Sequence, residues 1–195
     1  MEFQAFLDEE RLDFESQLLR RVFRLLSGKN LSIACAESIT GGNIARLLMA
    51  CPGSSQVFRG GVVAYATDLK IKYCGVSPKT IKSNGVVSEA VAKEMAEGIR
   101  KQMNADYAIS STGYASAALD NAVEYPVGSC YIGLASAESV IAKHYQFEGD
   151  RDTIIHHASP HTKPQQPRKK AAAAVAEKTR CRSKKRKTAT THASI

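Results

Sequence analysis

Two successive glycines, Gly41-Gly42, close the segment that most constrains this chain. Ala36-Glu37-Ser38-Ile39-Thr40-Gly41-Gly42 lies between a strand-like run, Leu31 to Cys35, and a helix-like run, Asn43 to Ala50, which stops before Pro52-Gly53. A hydroxyl-rich turn of this kind brings backbone close to whatever binds there, because glycine adds no side chain and tolerates left-handed geometry. The first N–H groups of the following helix have no intrahelical acceptor, so the turn predicts a place for an anion or a developing oxyanion.

Along the rest of the chain the hydrophobic period switches between helix and strand. Leu7, Leu12, Phe14, Leu18, Leu19, Val22, Phe23, Leu25 and Leu26 recur near helical spacing and predict an amphipathic helix over 5–27, ended by Gly28. Gly61 to Ala66 is a short β-rich run. Thr67 is placed to cap a brief helix, Asp68 to Cys74, that Gly75 closes. Pro78 opens another short helix behind Ser77, ended by Asn84-Gly85. Ser88 caps the clearest helix, Glu89 to Met103, in which Val91, Met95 and Ile99 fall four apart. Ala105 to Ser111 reads as a strand, and Val127 to Ala135 with Val140 to Phe147 reads as an antiparallel hairpin. Helices alternating with strands, then a closing hairpin, predict an α/β fold: a three-layer α/β/α sandwich with a mixed sheet.

At 195 residues the chain is long enough for one domain with a real core and too short for two ordinary ones. No apolar run approaches bilayer length, and Asp8-Glu9-Glu10 makes the N-terminus acidic where a signal peptide is basic. A cytoplasmic protein with no membrane partner is expected. Cys35, Cys51, Cys74, Cys130 and Cys181 are odd in number and contain no C-x-x-C pair, so neither disulfides, a metal nor another cofactor is expected.

The formal charge of +8 belongs to the C-terminus. From Pro160 onward eleven Lys or Arg face one acidic residue, Glu177, which leaves residues 1–159 at −2. Large apolar residues nearly vanish there, so a domain over 1–159 is expected to be followed by a disordered basic tail over 160–195. Arg180 to Lys187 suits non-specific nucleic-acid contact and, in a nucleated cell, a nuclear localisation signal.

The serine turn, with Tyr65 and Lys70 further on, offers a nucleophile, a base and a place to hold charge, which is the pattern of a hydrolase. No histidine precedes His144, so a serine would need a base of another kind, and lysine is the natural alternative. From the residues alone, Ser38 and Thr40 also suit helix capping, Lys70 a solvated face and Tyr65 half-buried packing. Thr112-Gly113 suits a pocket wall or a plain turn. Arg151 suits a phosphate ligand or an ordinary surface position.

Ala36-Glu37-Ser38-x-Thr40-Gly41-Gly42, Pro52-Gly53-Ser54-Ser55, Gly60-Gly61-Val62-Val63-x-Tyr65, Lys70, Gly85-Val86-Val87-Ser88, Ala105-Asp106-Tyr107-Ala108, Thr112-Gly113, Pro126-Val127-Gly128 and Gly149-Asp150-Arg151 occur in this order. The series resembles the CinA C-terminal domain over roughly residues 10–158. Bacterial members of that family act as nicotinamide-nucleotide amidases, converting the carboxamide of nicotinamide mononucleotide to the acid and ammonia. The resemblance implies Ser38 as nucleophile, Lys70 as base and Tyr65 as proton relay or oxyanion donor. It further implies Glu37, Thr40, Gly41, Gly42, Thr112, Gly113 and Arg151 around a small-molecule nucleotide substrate, with no metal, and a homo-oligomer is expected.

Two departures from the family pattern bear on function. Where the family has a glycine-rich loop after Thr112-Gly113, this chain has Tyr114-Ala115-Ser116-Ala117-Ala118-Leu119-Asp120-Asn121. Alanine and serine copy glycine conformations only at a cost, so an altered pocket is expected there. The family's long helix after Gly-Asp-Arg is cut by Pro160, which is expected to uncover an apolar sheet face unless the N-terminal helix or a partner chain covers it. The alternative function is a catalytically impaired, nucleotide-binding or nucleic-acid-associated relative that uses its tail.

Overall fold

The computed structural model describes residues 14–117, 119–120, 123–124 and 126–159. The first part of the expected N-terminal helix, the boundary at Pro160 and the basic tail lie outside the described residues. In chain order the elements are α1 (Phe14–Gly28), β1 (Ile33–Glu37), α2 (Asn43–Ala50), the single turn α3 (Ser54–Val57), β2 (Phe58–Val63), α4 (Thr67–Cys74), α5 (Pro78–Asn84) and α6 (Glu89–Gln102). They continue with β3 (Tyr107–Gly113), β4 (Leu119–Asp120), β5 (Val123–Glu124), β6 (Ser129–Ala135), β7 (Val140–Gln146) and α7 (Arg151–Ala158).

One sheet runs in the order β2-β1-β3-β6-β7, and β4 pairs with β5 separately. β1 is parallel to both β2 and β3, whereas β3–β6 and β6–β7 are antiparallel. The sheet is mixed, as the alternation of elements followed by a hairpin predicts.

Period-two alternation along β1 sorts the core. Ile33 and Cys35 pack with Phe23 and Leu26 of α1, Ile44 and Leu48 of α2 and Val57 of α3. Ala34 and Ala36 face the other way and pack with Cys74 of α4 and Val91, Met95 and Ile99 of α6. Ile154 and Ala158 of α7 close a third cluster with Ile39 and Cys130. Helices therefore cover both faces. Met95 and Ile99 are wholly buried, and truncating either to alanine costs roughly 2–5 kcal/mol by lost transfer and cavity energy.

Local signals behave largely as read. Ser88 Oγ accepts from Val91 N at 3.3 Å, and Gly75 closes α4 at φ 66°. Thr67 does not cap α4; Ala66 is the N-cap and Thr67 already lies in the helix. The carbonyls of Ala64 and Tyr65 turn inward to Lys70, which keeps the chain extended to Ala66. β2 starts at Phe58 and ends at Val63, three residues ahead of the expected run at both ends.

β1 and β3 both begin and end two residues later than the hydrophobic pattern suggests. They shift together because they are ladder neighbours, Ile33 opposite Tyr107. Asp106 Oδ2 accepts from Ser32 N at 2.7 Å and from Ser32 Oγ at 2.8 Å, so these residues form a clamp ahead of the ladder. The shift carries Glu37 into the sheet.

Beyond α7 the sheet is open among the described residues: Leu134 and Ile141, opposite each other on β6 and β7, are 41% and 59% exposed. No helix among the described residues is long and apolar enough to cross a membrane.

Candidate active site

Because β1, β2 and β3 are parallel, their C-terminal ends meet at one edge of the sheet, where open α/β sheets form their crevices. Ser38 follows β1, Tyr65 follows β2, and Thr112-Gly113 ends β3. α4 brings Lys70 to the same edge. Its position depends on a close approach to α6, where a Cβ on Gly98 would lie 1.6 Å from the Cys74 carbonyl oxygen.

Lys70 is the largest fully buried side chain described, at 2% exposure. Its Nζ lies 2.9 Å from Ser38 Oγ, 2.7 Å from the Ala64 carbonyl and 2.9 Å from the Tyr65 carbonyl. Burial lowers its pKa to about 8, with Cys74 opposing as the lesser influence. Lys70 also lies near the start of α4, where the positive end of the helix dipole disfavours a cation. A neutral amine suits the geometry: two N–H groups serve the two carbonyls, and the lone pair faces the Ser38 hydroxyl.

The carboxylate of Glu37 does not reach a substrate crevice. It is 1% exposed and accepts from the N–H groups of Gly42 at 2.9 Å, Ile44 at 3.0 Å and Ala45 at 2.8 Å. Thr40 Oγ1 donates to it at 2.6 Å. The N-terminus of α2, expected to receive an anion from outside, is therefore filled from inside by the protein's own carboxylate. This is the usual electrostatic preference of a helix N-terminus, met here without a ligand.

Ser111 joins this network and was not singled out from the sequence. It sits directly opposite Glu37 in the β1–β3 register. Its Oγ is 2.7 Å from Thr40 Oγ1 and accepts from Ser38 N at 3.3 Å. Since the Thr40 proton goes to Glu37, the Ser111 hydroxyl donates to Thr40. The signal in the sequence was the hydroxyl run Ser110-Ser111-Thr112 at a strand end. Alternation puts Ser111 on the opposite face from Thr112, whose Oγ1 instead donates to the Val86 carbonyl at 3.0 Å.

The expected relay by Tyr65 is absent from the geometry. Lys70 reaches Ser38 directly, and the Tyr65 hydroxyl, on a side chain 62% exposed, accepts from Arg151 Nη2 at 3.3 Å. Arg151 Nη1 donates to Ser116 Oγ at 3.2 Å, tying the first residue of α7 to the segment after β3. Gly41 and Gly42 hold φ of 60° and 102° in the serine turn. Gly113 stands behind that turn, where a Cβ would come within 2.7 Å of Ile39 Cδ1.

The family model of the CinA C-terminal domain matches residues 15–162. The chain belongs to that family. The CinA-like protein of Thermotoga maritima is 42% identical over 133 residues, which are 68% of this chain and 32% of that protein. The CinA-like protein of Thermosynechococcus vestitus is 40% identical over 138 residues, 70% of this chain and 33% of that protein. The chain thus spans about a third of the length of the curated relatives it matches. The CinA superfamily protein of Escherichia coli aligns at a TM-score of 0.71 and 27% identity, covering 77% of this chain and 88% of that one. Competence damage-inducible protein A of Klebsiella pneumoniae aligns at 0.70 and 29% identity, covering 75% and 90%. The mixed sheet and its helices are therefore the CinA fold.

Proposed function

We propose that this CinA domain is a serine amidase acting on the carboxamide of nicotinamide mononucleotide. The observation that carries the reading is the buried contact of 2.9 Å between Lys70 Nζ and Ser38 Oγ. A serine hydroxyl needs an adjacent base to become a nucleophile, and a lysine becomes one when burial keeps it neutral.

Ser38 Oγ attacks the amide carbon while its proton passes to Lys70 Nζ. The tetrahedral intermediate collapses as the Lys70 ammonium protonates the leaving nitrogen, which departs as ammonia. Water then attacks the resulting ester, gives a proton to Lys70, and the acid leaves as Ser38 Oγ recovers that proton. Arg151, exposed beside the Tyr65 hydroxyl, receives the substrate phosphate, which suits a planar guanidinium.

The test is ammonia release from nicotinamide mononucleotide by the purified chain, with Ser38→Ala in parallel. Release that vanishes in the variant is expected. A folded wild-type chain that releases none overturns the reading.

A further inference from the structure

α1 is apolar on two sides, and a single copy of the chain buries one of them. Phe23 and Leu26, with Leu19 beside them, pack into the core against β1. The residue ahead of each in the chain is open: Leu18, Val22 and Leu25 are 51%, 36% and 57% exposed. These three fall at i, i+4 and i+7, so they form a second stripe, about 100° round the helix from the first.

The sheet leaves a matching gap. Cys35, Ile109, Leu134 and Ile141 stand in one row across β1, β3, β6 and β7. Cys35 and Ile109 belong to the cluster under α1, whereas Leu134 and Ile141 are exposed. α7 packs against Cys130 and Ile132 further along β6 and ends at Ala158. Two uncovered strands are about 10 Å wide, the width of one helix. An apolar sheet face is closed by a packed helix or a second sheet. The chain beyond Ser159 is poorly suited to this, since its large apolar residues are Val175 and Ile195 alone.

We propose that two copies of this chain pair about a two-fold axis, α1 of each laying its second stripe on the Leu134–Ile141 face of the other. Every contact then occurs twice, as an isologous interface requires. Charge favours the same exchange. Arg21 stands on the stripe, three residues after Leu18 and four before Leu25. Glu138 stands in the turn that joins β6 to β7, beside the Leu134–Ile141 pair. Both are exposed, and neither side chain has a partner among the described residues. Pairing brings them together. Lys143, the next residue on the face of Ile141, does not oppose Arg21, because its ammonium lies 5.3 Å from the centre of the Tyr145 ring, away from Ile141. The inference uses no residue of the crevice and is independent of the amidase reading.

Sedimentation velocity of the full chain between about 1 and about 100 µM tests it. A dimer is expected, and Leu25→Asp and Ile141→Asp should each raise its Kd by about 30-fold with unchanged circular dichroism. Arg21→Glu and Glu138→Arg should each weaken it by about tenfold, and the double variant should recover most of that loss. Local damage to the fold would not be repaired in this way. The pairing itself is read by mixing Leu25→Cys chains with Ile141→Cys chains, both carrying Cys181→Ser, and oxidising them with copper–phenanthroline in air. Disulfides between positions 25 and 141 are expected to predominate.

A chain that stays monomeric throughout the range overturns the proposal and leaves the face to residues outside those described or to a different protein. A dimer that both aspartate variants leave intact also overturns it. So does one that links position 25 to position 25, since the two helices would then meet each other rather than the sheet.

Discussion

Lys70 and Ser38 meet through a nitrogen–oxygen contact of 2.9 Å, and neither side chain is more than 7% exposed. The two carbonyls on the same nitrogen consume two N–H groups whatever its charge. The third position is a proton on the ammonium and a lone pair on the amine, so protonation of Lys70 decides whether Ser38 has a base.

With Lys70 titrating at about 8, kcat/KM for ammonia release is expected to rise with pH through that value and level off above it. Lys70→Met should remove this limb and lower kcat by about 10³-fold, the usual scale for a lost general base. A pH–rate profile of both proteins checks it.

The same group makes stability depend on pH, with the sign opposite to that of a lysine gaining a salt bridge. Its folded pKa is depressed from 10.5 to about 8, so the unfolded chain binds the extra proton between those values. The penalty of burying the ammonium is fully present below about pH 8 and disappears as pH rises toward 10.5. Wild type should therefore gain roughly 3 kcal/mol on Lys70→Met across that window. Urea unfolding at pH 7.5 and 10.5 measures the difference, and parallel behaviour of the two proteins refutes it.

Glu37→Gln keeps the shape of the side chain but replaces one acceptor oxygen by an NH2 group. At least one of the Gly42, Ile44 and Ala45 N–H groups or the Thr40 hydroxyl then faces a donor. A loss of about 1–3 kcal/mol is expected, seen as a thermal midpoint lower by about 2–4 °C for each kcal/mol. An unchanged midpoint would mean that the carboxylate contributes little to closing α2.

How far these residues were legible in the sequence follows from the range of the forces that place them. Ser88, Gly75 and Pro78 act within a few residues, and the structure uses each as the sequence indicates. The edges of β1 and β3 depend on the clamp between Ser32 and Asp106, 74 residues apart, which no local period contains. Glu37 stands next to Ser38 and so reads as a crevice residue. The two-residue extension of β1 turns its carboxylate inward, and only the folded register reveals Ser111 opposite it. The contact of Tyr65 is equally non-local: its hydroxyl is met by Arg151, 86 residues later, once α7 has returned to the sheet edge.

Gly98 links packing to chemistry through a single missing atom. Gly98→Ala improves helix propensity by about 1 kcal/mol, but its methyl would overlap the Cys74 carbonyl oxygen, which is backbone and cannot rotate aside. The overlap should outweigh the gain, leaving a net loss of about 1–3 kcal/mol. Relief by moving α4 away from α6 would carry Lys70 off Ser38. Reduced kcat together with a lower unfolding midpoint is expected, and a more stable, fully active variant would show that the two helices do not need this contact.

Arg151 presents two nitrogens to two different elements, Nη1 to Ser116 and Nη2 to Tyr65. Lysine keeps the charge but not the planar fork, so Arg151→Lys should weaken phosphate binding without touching the Ser38–Lys70 pair. KM for nicotinamide mononucleotide should rise by about tenfold, equivalent to about 1.4 kcal/mol, while kcat changes by much less. The nucleoside lacking the phosphate separates binding from general damage, because its kcat/KM should be the same in both proteins. Equal losses on nucleotide and nucleoside would instead assign Arg151 to holding α7 and the Ser116 segment in place, with the phosphate bound elsewhere.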